Sequence, residues 1–214
     1  MSQRDLDYFR QLGLTIPAMV APIGLDLASY QDQVPATLPP HSISFIGSLD
    51  WMPNQDGLKW FLDQVWPSIH RSFPDLKFHI AGRNTPKWVF DRAGNGVIVD
   101  GEVPDATDFI KQHPISIVPL FSGSGMRVKI LESMALGRIV LTTPLGVEGI
   151  AATHDENILI GKTADQFRQL LTQCLQQPKE MEHISTKAQS FIIANYDNVV
   201  IGQTILNRMS NLSS

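Results

Sequence analysis

The residues that could do chemistry are concentrated in one segment, FSGSGMRVKILESMALGRIVLTTPLGVEGI at positions 121–150. A glycine–serine turn leads directly into a predicted helix and supplies these candidate ligand contacts: Gly123, Ser124, Gly125, Met126, Arg127, Lys129 and Glu132. A helix amino terminus presents unpaired backbone N–H groups and the positive end of the helix dipole, so it attracts phosphate. Glycines let a ligand approach that backbone closely. Two cations and one acid suit a charged nucleotide that also carries hydroxyl groups.

The composition is that of an ordinary globular chain. Its 214 residues are 43% hydrophobic and 18% charged, with a formal net charge of -4, so one large domain or one domain with an appendage is expected. The mild acidity argues against nucleic acid as a partner, and no cluster of Lys and Arg suggests a membrane surface. No signal peptide or membrane span is evident. These features predict a cytoplasmic protein, with membrane association of the full-length form left open.

The cysteine and histidine content argues against disulfides and metal sites. The single cysteine, Cys174, leaves no partner for an intrachain disulfide, and its place in the apolar pattern LLTQCL predicts a buried thiol. The six histidines form no HxxxH or HxH pair, so we predict no bound metal and no cofactor.

The elements that must position these residues begin near residue 42. Residues 2–13 predict a short helix, and a strand is expected in TIPAMVAPIGLDLASY, ending at Gly24 and Asp26. The segment QDQVPATLPPHS, rich in proline and polar residues, predicts a linker. Nothing before residue 40 could form a core of its own. We therefore predict a boundary between 1–40 and a domain at 41–214.

Beyond that boundary, short apolar runs alternate with helical patterns. Six strands are predicted: ISFIGS, LKFHIAG, GVIVDG, ISIVPL, RIVLTT and ENILIG. One helix is predicted from a cap at Asn54 or Asp56 to Arg71, and another from a cap at Asp105 or Thr107 to Lys111. A further helix is predicted directly after the glycine turn. The remaining predicted helices are Pro86–Arg92, Ala164–Gln176, Lys179–Asn195 and Asn198–Ser210. This alternation predicts an α/β fold, a doubly wound, Rossmann-like parallel sheet with helices on both faces.

Common phosphate and hydrolase motifs are absent. The first strand is followed by GSLDWMPN rather than GxGxxG, which disfavours NAD or FAD, and neither GxxxxGK[ST] nor GxSxG occurs. The phosphate-binding turn lies instead after the fourth strand. A second glycine loop, after the fifth strand, carries Glu148 between Gly146 and Gly149.

The segments FIGSLDWMPNQDGLKWF, FHIAGR, VDGEVPD, PLFSGSGMRVKILESMALGRIVLTT and GVEGI resemble the donor-binding half of the group 1 glycosyltransferases. The resemblance covers residues 42–210. It implies one half of a GT-B fold, in which two Rossmann-like domains flank the active site. The carboxyl-terminal domain binds the nucleotide-sugar and the amino-terminal domain binds the acceptor. Residues 1–40 would then be the tail of a missing acceptor domain and the interdomain linker.

The resemblance also implies roles for individual residues. Glu132 matches the second glutamate of the family's E-x7-E motif and would bind the ribose hydroxyls, whereas Ser124 replaces the first glutamate. The donor diphosphate would be held by Gly123, Ser124, Gly125, Met126, Arg127, Lys129 and Arg83. Contacts to the sugar or base are expected from Gly47, Asn54, Val103 and Glu148.

Plainer interpretations of these residues stay open. Lys129 and Glu132 could form only a surface ion pair, since residues three apart share one side of a helix. Asn54 could cap a helix, and Arg83 could be a solvated loop cation.

The resemblance implies a retaining, metal-independent transferase in which cations at the helix stabilise the leaving diphosphate. No catalytic nucleophile is identified, and the expected substrate is a UDP- or GDP-sugar used in polysaccharide assembly. We expect the fragment alone to bind the nucleotide but transfer no sugar. Two alternatives stay open: a nucleotide-sugar epimerase-like domain, and a non-catalytic flavodoxin-like binding module. The sequence does not indicate an oligomeric state.

Overall fold

The computed structural model of the protein describes residues 3–30, 40–123, 125 and 127–212. Its centre is a six-stranded sheet in the order β3-β2-β1-β4-β5-β6, with every neighbouring pair parallel. The strands are β1 Ser42–Ile46, β2 Lys77–Ala81, β3 Val97–Gly101, β4 Ile115–Val118, β5 Ile139–Thr142 and β6 Leu159–Ile160. This is the Rossmann order and differs from the flavodoxin-like order 2-1-3-4-5. The predicted fold class is confirmed, and the topology does not favour the flavodoxin-like alternative.

Helices cover both faces of the sheet. The helices of the described residues are α1 Gln3–Gln11, α2 Met52–Gln64, α3 Trp66–Ser72, α4 Lys87–Phe90, α5 Ala106–Gln112, α6 Val128–Ala135, α7 Ala164–Gln176, α8 Pro178–Asn195 and α9 Asn198–Leu212. Because side chains alternate along a strand, one face of the sheet packs its isoleucines and phenylalanines against α2, α3 and α7. The other face packs Val118 and Val140 against α6 and α8. None of the helices in the described residues is long and apolar enough to cross a membrane.

The lone thiol lies in the first of these layers. Cys174 on α7 is fully buried within the cluster that includes Phe61 and Phe167. Burial raises the pKa of its thiol to about 12. The predicted burial of this residue is confirmed.

The amino-terminal region differs from the prediction. Helix α1 forms, but the strand expected before Gly24 and Asp26 is wrong, because this stretch is irregular and ends in a 3-10 turn at Leu27–Tyr30. Its prolines lack the N–H groups that a paired strand needs. Leu25 pairs with the rest of the fold through its backbone, donating its N–H to the Tyr196 carbonyl at 2.7 Å and accepting from the Asn198 N–H at 3.0 Å. Residues 31–39 of the predicted linker at 31–42 lie outside the described residues, and its last residue, Ser42, is the first residue of β1.

The region between β1 and β2 also differs. The predicted single helix is two helices, because Pro67 cannot continue α2 and instead occupies the first turn of α3. Neither Asn54 nor Asp56 caps α2, which begins after Trp51 with Pro53 in its first turn. The predicted cap at Asp105 is confirmed, since its carboxylate accepts the Asp108 N–H at 3.0 Å.

Candidate functional site

A pocket of about 400 Å³ opens beyond the carboxyl ends of β1, β2 and β3. It is lined by Ile46, Gly47, Ser48, Gly82, Arg83, Glu102, Val103, Pro104, Ala106, Ile110, Lys129 and Glu132. In doubly wound sheets ligands bind at this edge, near the point where the strand order reverses. Five of the predicted contacts, from four separate parts of the chain, therefore line one cavity: Gly47, Arg83, Val103, Lys129 and Glu132.

The floor of the pocket is made of backbone. A Cβ atom at Gly82 would collide with the carbonyl oxygen of Gly47, so the loops after β1 and β2 touch without side chains between them. The Gly47 N–H donates to the Ala81 carbonyl at 3.2 Å, and the Leu49 N–H donates to the Arg83 carbonyl at 2.9 Å. These contacts fix the two loops relative to each other and leave room for a ligand to reach the main chain.

Lys129 enters the pocket from the first turn of α6 and is half-buried. Its Nζ donates to the Asn54 Oδ1 at 2.9 Å and to the Ile46 carbonyl at 3.4 Å, and it lies 4.8 Å from the centre of the Phe45 ring. Burial, and to a lesser degree the charge of Arg127, lowers the pKa of its ammonium to about 7. Lys129 therefore does not form the surface ion pair with Glu132 that was left open, because its contacts are to Asn54 and Ile46.

Glu132 lines the same pocket one turn further along α6. Its Oε1 accepts the Tyr30 hydroxyl at 3.5 Å, the outer limit of a hydrogen bond. Burial raises the pKa of the Glu132 carboxyl, and the hydrogen bond from Tyr30 partly offsets this. Burial and the nearby Glu132 charge raise the pKa of Tyr30 to about 12. The sequence analysis missed Tyr30, because no local pattern links a turn before a linker to a helix 102 residues later.

Arg127 lies apart from the pocket lining, although it is only two residues from Lys129. Its guanidinium stacks on Trp51 at 5.3 Å from the ring centre, and its Nη1 donates to the Gly125 carbonyl at 2.7 Å. Burial lowers the pKa of Arg127, and Glu148 partly offsets this. A Cβ atom at Gly123 would lie 2.7 Å from the Trp51 ring. The structure thus places Gly123, Gly125 and Arg127 in a second group around Trp51, with Glu148 close enough to Arg127 to interact with its charge.

Three predicted contacts remain to be placed. Asn54 does not line the pocket, since its buried side chain lies behind Lys129. Ser124 and Met126 lie outside the described residues. In the part of the chain that the structure describes, no three His, Cys, Asp or Glu side chains are arranged to hold a metal ion. The assignment of all these contacts to particular ligand groups stays a prediction.

The sheet order and the helices on both of its faces define a doubly wound α/β domain with a glycine-floored pocket at its switch point. A model of the family described as Glycosyl transferases group 1 matches residues 40–177. The match extends over more than half of the chain, so the chain belongs to the group 1 glycosyltransferases.

Individual relatives are longer than this chain. A Klebsiella pneumoniae protein, described as an uncharacterized 44.6 kDa protein in the cps region, is 28% identical in a 174-residue alignment that covers 77% of this chain and 45% of the relative. The chain thus spans about half the length of the curated relative it matches.

Solved structures share the fold at low identity. HepE from Anabaena, solved with UDP and glucose, aligns with a TM-score of 0.74 at 16% identity over 98% of this chain and 62% of its own. The carboxyl-terminal domain of the group 1 glycosyl transferase LpcC from Francisella tularensis aligns with a TM-score of 0.62 at 18% identity. That alignment covers 83% of this chain and 95% of the LpcC domain.

Proposed function

We propose that this chain is the nucleotide-sugar donor-binding domain of a retaining, metal-independent glycosyltransferase. The observation that carries the proposal is the convergence of Lys129, Arg83 and Glu132 on one pocket whose floor is backbone. Its volume of about 400 Å³ is within the range of small-molecule sites. The pocket thus offers two cations for phosphate oxygens and two acids, of which Glu132 is proposed to accept hydrogen bonds from sugar hydroxyls.

Each of the three side chains has a distinct role in the proposal. Lys129 and Arg83 bind the diphosphate, Lys129 as a compact charge and Arg83 as a planar fork that matches phosphate oxygens. Glu132 accepts hydrogen bonds from the ribose hydroxyls, and the backbone around Val103 contacts the base. Arg127 is not included among the diphosphate ligands, because its guanidinium is engaged by Trp51 and the Gly125 carbonyl.

Glycosyl transfer requires the bond between the anomeric carbon and the diphosphate to break, with negative charge developing on the phosphate oxygens. A cation preset at those oxygens stabilises this charge most effectively where water is excluded. Lys129 is held in such a half-buried position, and we propose that it supplies this stabilisation in place of a metal ion. The retaining outcome rests on the family resemblance.

The acceptor and any groups acting on it belong to a domain beyond these 214 residues in this proposal. The greater length of the relatives supports this, as do exposed apolar side chains on α1 and α9, among them Phe9, Val199 and Leu206. We therefore propose that the fragment binds donor but transfers no sugar alone. The cps-region relative supports polysaccharide assembly as the process.

Calorimetry of the fragment against UDP, GDP and ADP tests the proposal. We expect binding of one nucleoside diphosphate, with UDP the first candidate because HepE was solved with UDP. Failure to bind any of the three would refute the donor-domain assignment. Sugar transfer by the fragment alone would refute only the proposed division between two domains.

A further inference from the structure

Asn54 connects two parts of the pocket that are distant in sequence. It lies in the first turn of α2 and is 4% exposed. Its Nδ2 donates to the Ser48 carbonyl at 2.8 Å, and its Oδ1 accepts from the Lys129 Nζ at 2.9 Å. Both ends of the amide are used, so the side chain cannot rotate without losing a contact in a buried place, which is costly.

Gly47 makes this bridge possible. A Cβ atom at that position would lie 2.7 Å from the Asn54 Nδ2 and 3.2 Å from the Lys129 Nζ. Any side chain there would push Asn54 or Lys129 out of place. The glycine after β1 therefore serves the packing of these two side chains as well as the approach of a ligand to the backbone.

The direct contacts of the Lys129 ammonium are uncharged. They are the Asn54 amide oxygen, the Ile46 carbonyl and the face of the Phe45 ring. The charged groups nearby are Arg127 on the adjoining turn and three that line the same pocket: Arg83, Glu102 and Glu132. The ammonium is thus oriented by neutral acceptors, which direct its N–H bonds without cancelling its charge.

We propose that Asn54 is a positioning residue, which aims the Lys129 ammonium into the pocket through a neutral amide that does not offset the positive charge met by an anionic ligand. The inference deepens the proposed function and rests on it, but the Asn54–Lys129 contact can be tested without any ligand. A carboxylate at position 54 would keep the shape and the acceptor for Lys129 while offsetting the charge of the ammonium, and it would lose the hydrogen bond to the Ser48 carbonyl. Asn54→Asp therefore keeps the size of the side chain and changes its charge. It tests whether the neutrality of Asn54 matters to Lys129, or only its packing.

The first experiment measures the pKa of Lys129 in the ligand-free chain by NMR of lysine labelled at the ε carbon, with Lys129→Arg identifying the resonance. We expect a pKa of about 7 in the native chain. In Asn54→Asp it should rise by at least about one unit, because an adjacent opposite charge favours the charged form. A pKa that does not change in this variant would overturn the inference.

The second experiment measures the affinity of native chain and variant for UDP, GDP and ADP across pH. Native affinity should fall as pH rises through about 7, since Lys129 then loses its proton. Asn54→Asp should bind about tenfold more weakly at neutral pH, because the new carboxylate repels an anionic ligand and offsets the charge of Lys129. Its pH-dependent decline should move to higher pH. A purely structural role would lower thermal stability without moving this profile.

Asn157→Asp is the matched control. Asn157 is 6% exposed and accepts the Thr153 N–H at 2.8 Å through Oδ1, but it does not line the pocket. We expect its variant to keep native affinity and the native pH profile. Native affinity in Asn54→Asp would overturn the positioning inference. If the native chain binds none of the three nucleotides, the proposed function fails, while the NMR titration still decides whether Asn54 controls Lys129.

Discussion

Two cations of the same helix end lie in contrasting surroundings. Lys129 enters the pocket, where a neutral amide and a carbonyl hold its ammonium and its pKa falls to about 7. Arg127 folds back over Trp51 and onto the Gly125 carbonyl, with Glu148 nearby. One group is oriented towards an open cavity, and the other is committed to contacts within the protein.

The contrast shows how helix geometry divides functions between close neighbours. Arg127 is the residue before α6 and its backbone angles are not helical, so its side chain does not share the side of the helix that carries Lys129. Lys129 and Glu132, three apart, share one side and line the same pocket. At the same end of α6, Lys129 is thus placed for ligand binding and Arg127 for stability of the fold. Substitutions of the two residues should therefore have different effects.

The largest effect on binding is expected from Lys129→Ala. Loss of one charge-assisted contact should weaken nucleoside diphosphate binding about ten- to a hundredfold, measured by calorimetry at a pH near 6.5 where the ammonium is charged. Lys87→Ala is the control, because Lys87 is 86% exposed and pairs with Asp91. If the two variants lost equal affinity, Lys129 would contribute only to the net charge of the protein and would make no direct contact with the nucleotide.

A smaller effect is expected from Glu132→Gln, which keeps the shape of the side chain but removes its charge. We expect about a fivefold loss for the native nucleotide, because an ionised acceptor bonds hydroxyl groups more strongly than an amide. Glu148→Gln is the comparison variant, because it makes the same change at an acid that does not line the pocket. A nucleotide lacking both ribose hydroxyls should bind the native chain and Glu132→Gln equally; a persisting difference would contradict ribose recognition by Glu132.

The smallest effect on binding, less than about twofold, is expected from Arg127→Ala. Its consequence should instead be lower stability, by about 1–2 kcal/mol, since a buried guanidinium stacked on an indole is lost. Urea unfolding of the ligand-free chain measures this change. A binding loss as large as that of Lys129→Ala, with native stability, would restore Arg127 to the diphosphate site and remove the contrast between the two groups.

The sheet was predictable because each strand is a short apolar run followed by a helix, a pattern that local residues determine. The stretch before Gly24 was not predictable in the same way, because an apolar run with prolines becomes a strand only if a neighbour pairs with it. Likewise Pro67 could have been read as a helix break, but the apolar periodicity on both sides obscured it.

The site was predictable in part for a related reason. Glycines at strand ends indicate where backbone loops meet, so Gly47, Gly82 and the residues beside them converge as expected. Side-chain direction depends on tertiary partners, which explains why Arg127 and Asn54 are placed differently from the expectation. The contact between Tyr30 and Glu132 joins segments with no shared local signal.

The lone buried thiol offers a way to measure the differences in stability and ligand binding between these variants. Cys174 is the chain's only cysteine, and it is sealed between α7 and the sheet with its pKa raised to about 12. A thiol reagent can reach Cys174 only when the packing between α7 and the sheet opens. The rate at which the thiol is labelled therefore measures how often the fold opens there. A ligand that binds only the folded chain lowers this labelling rate. The single native sulfur can therefore report both stability and ligand occupancy.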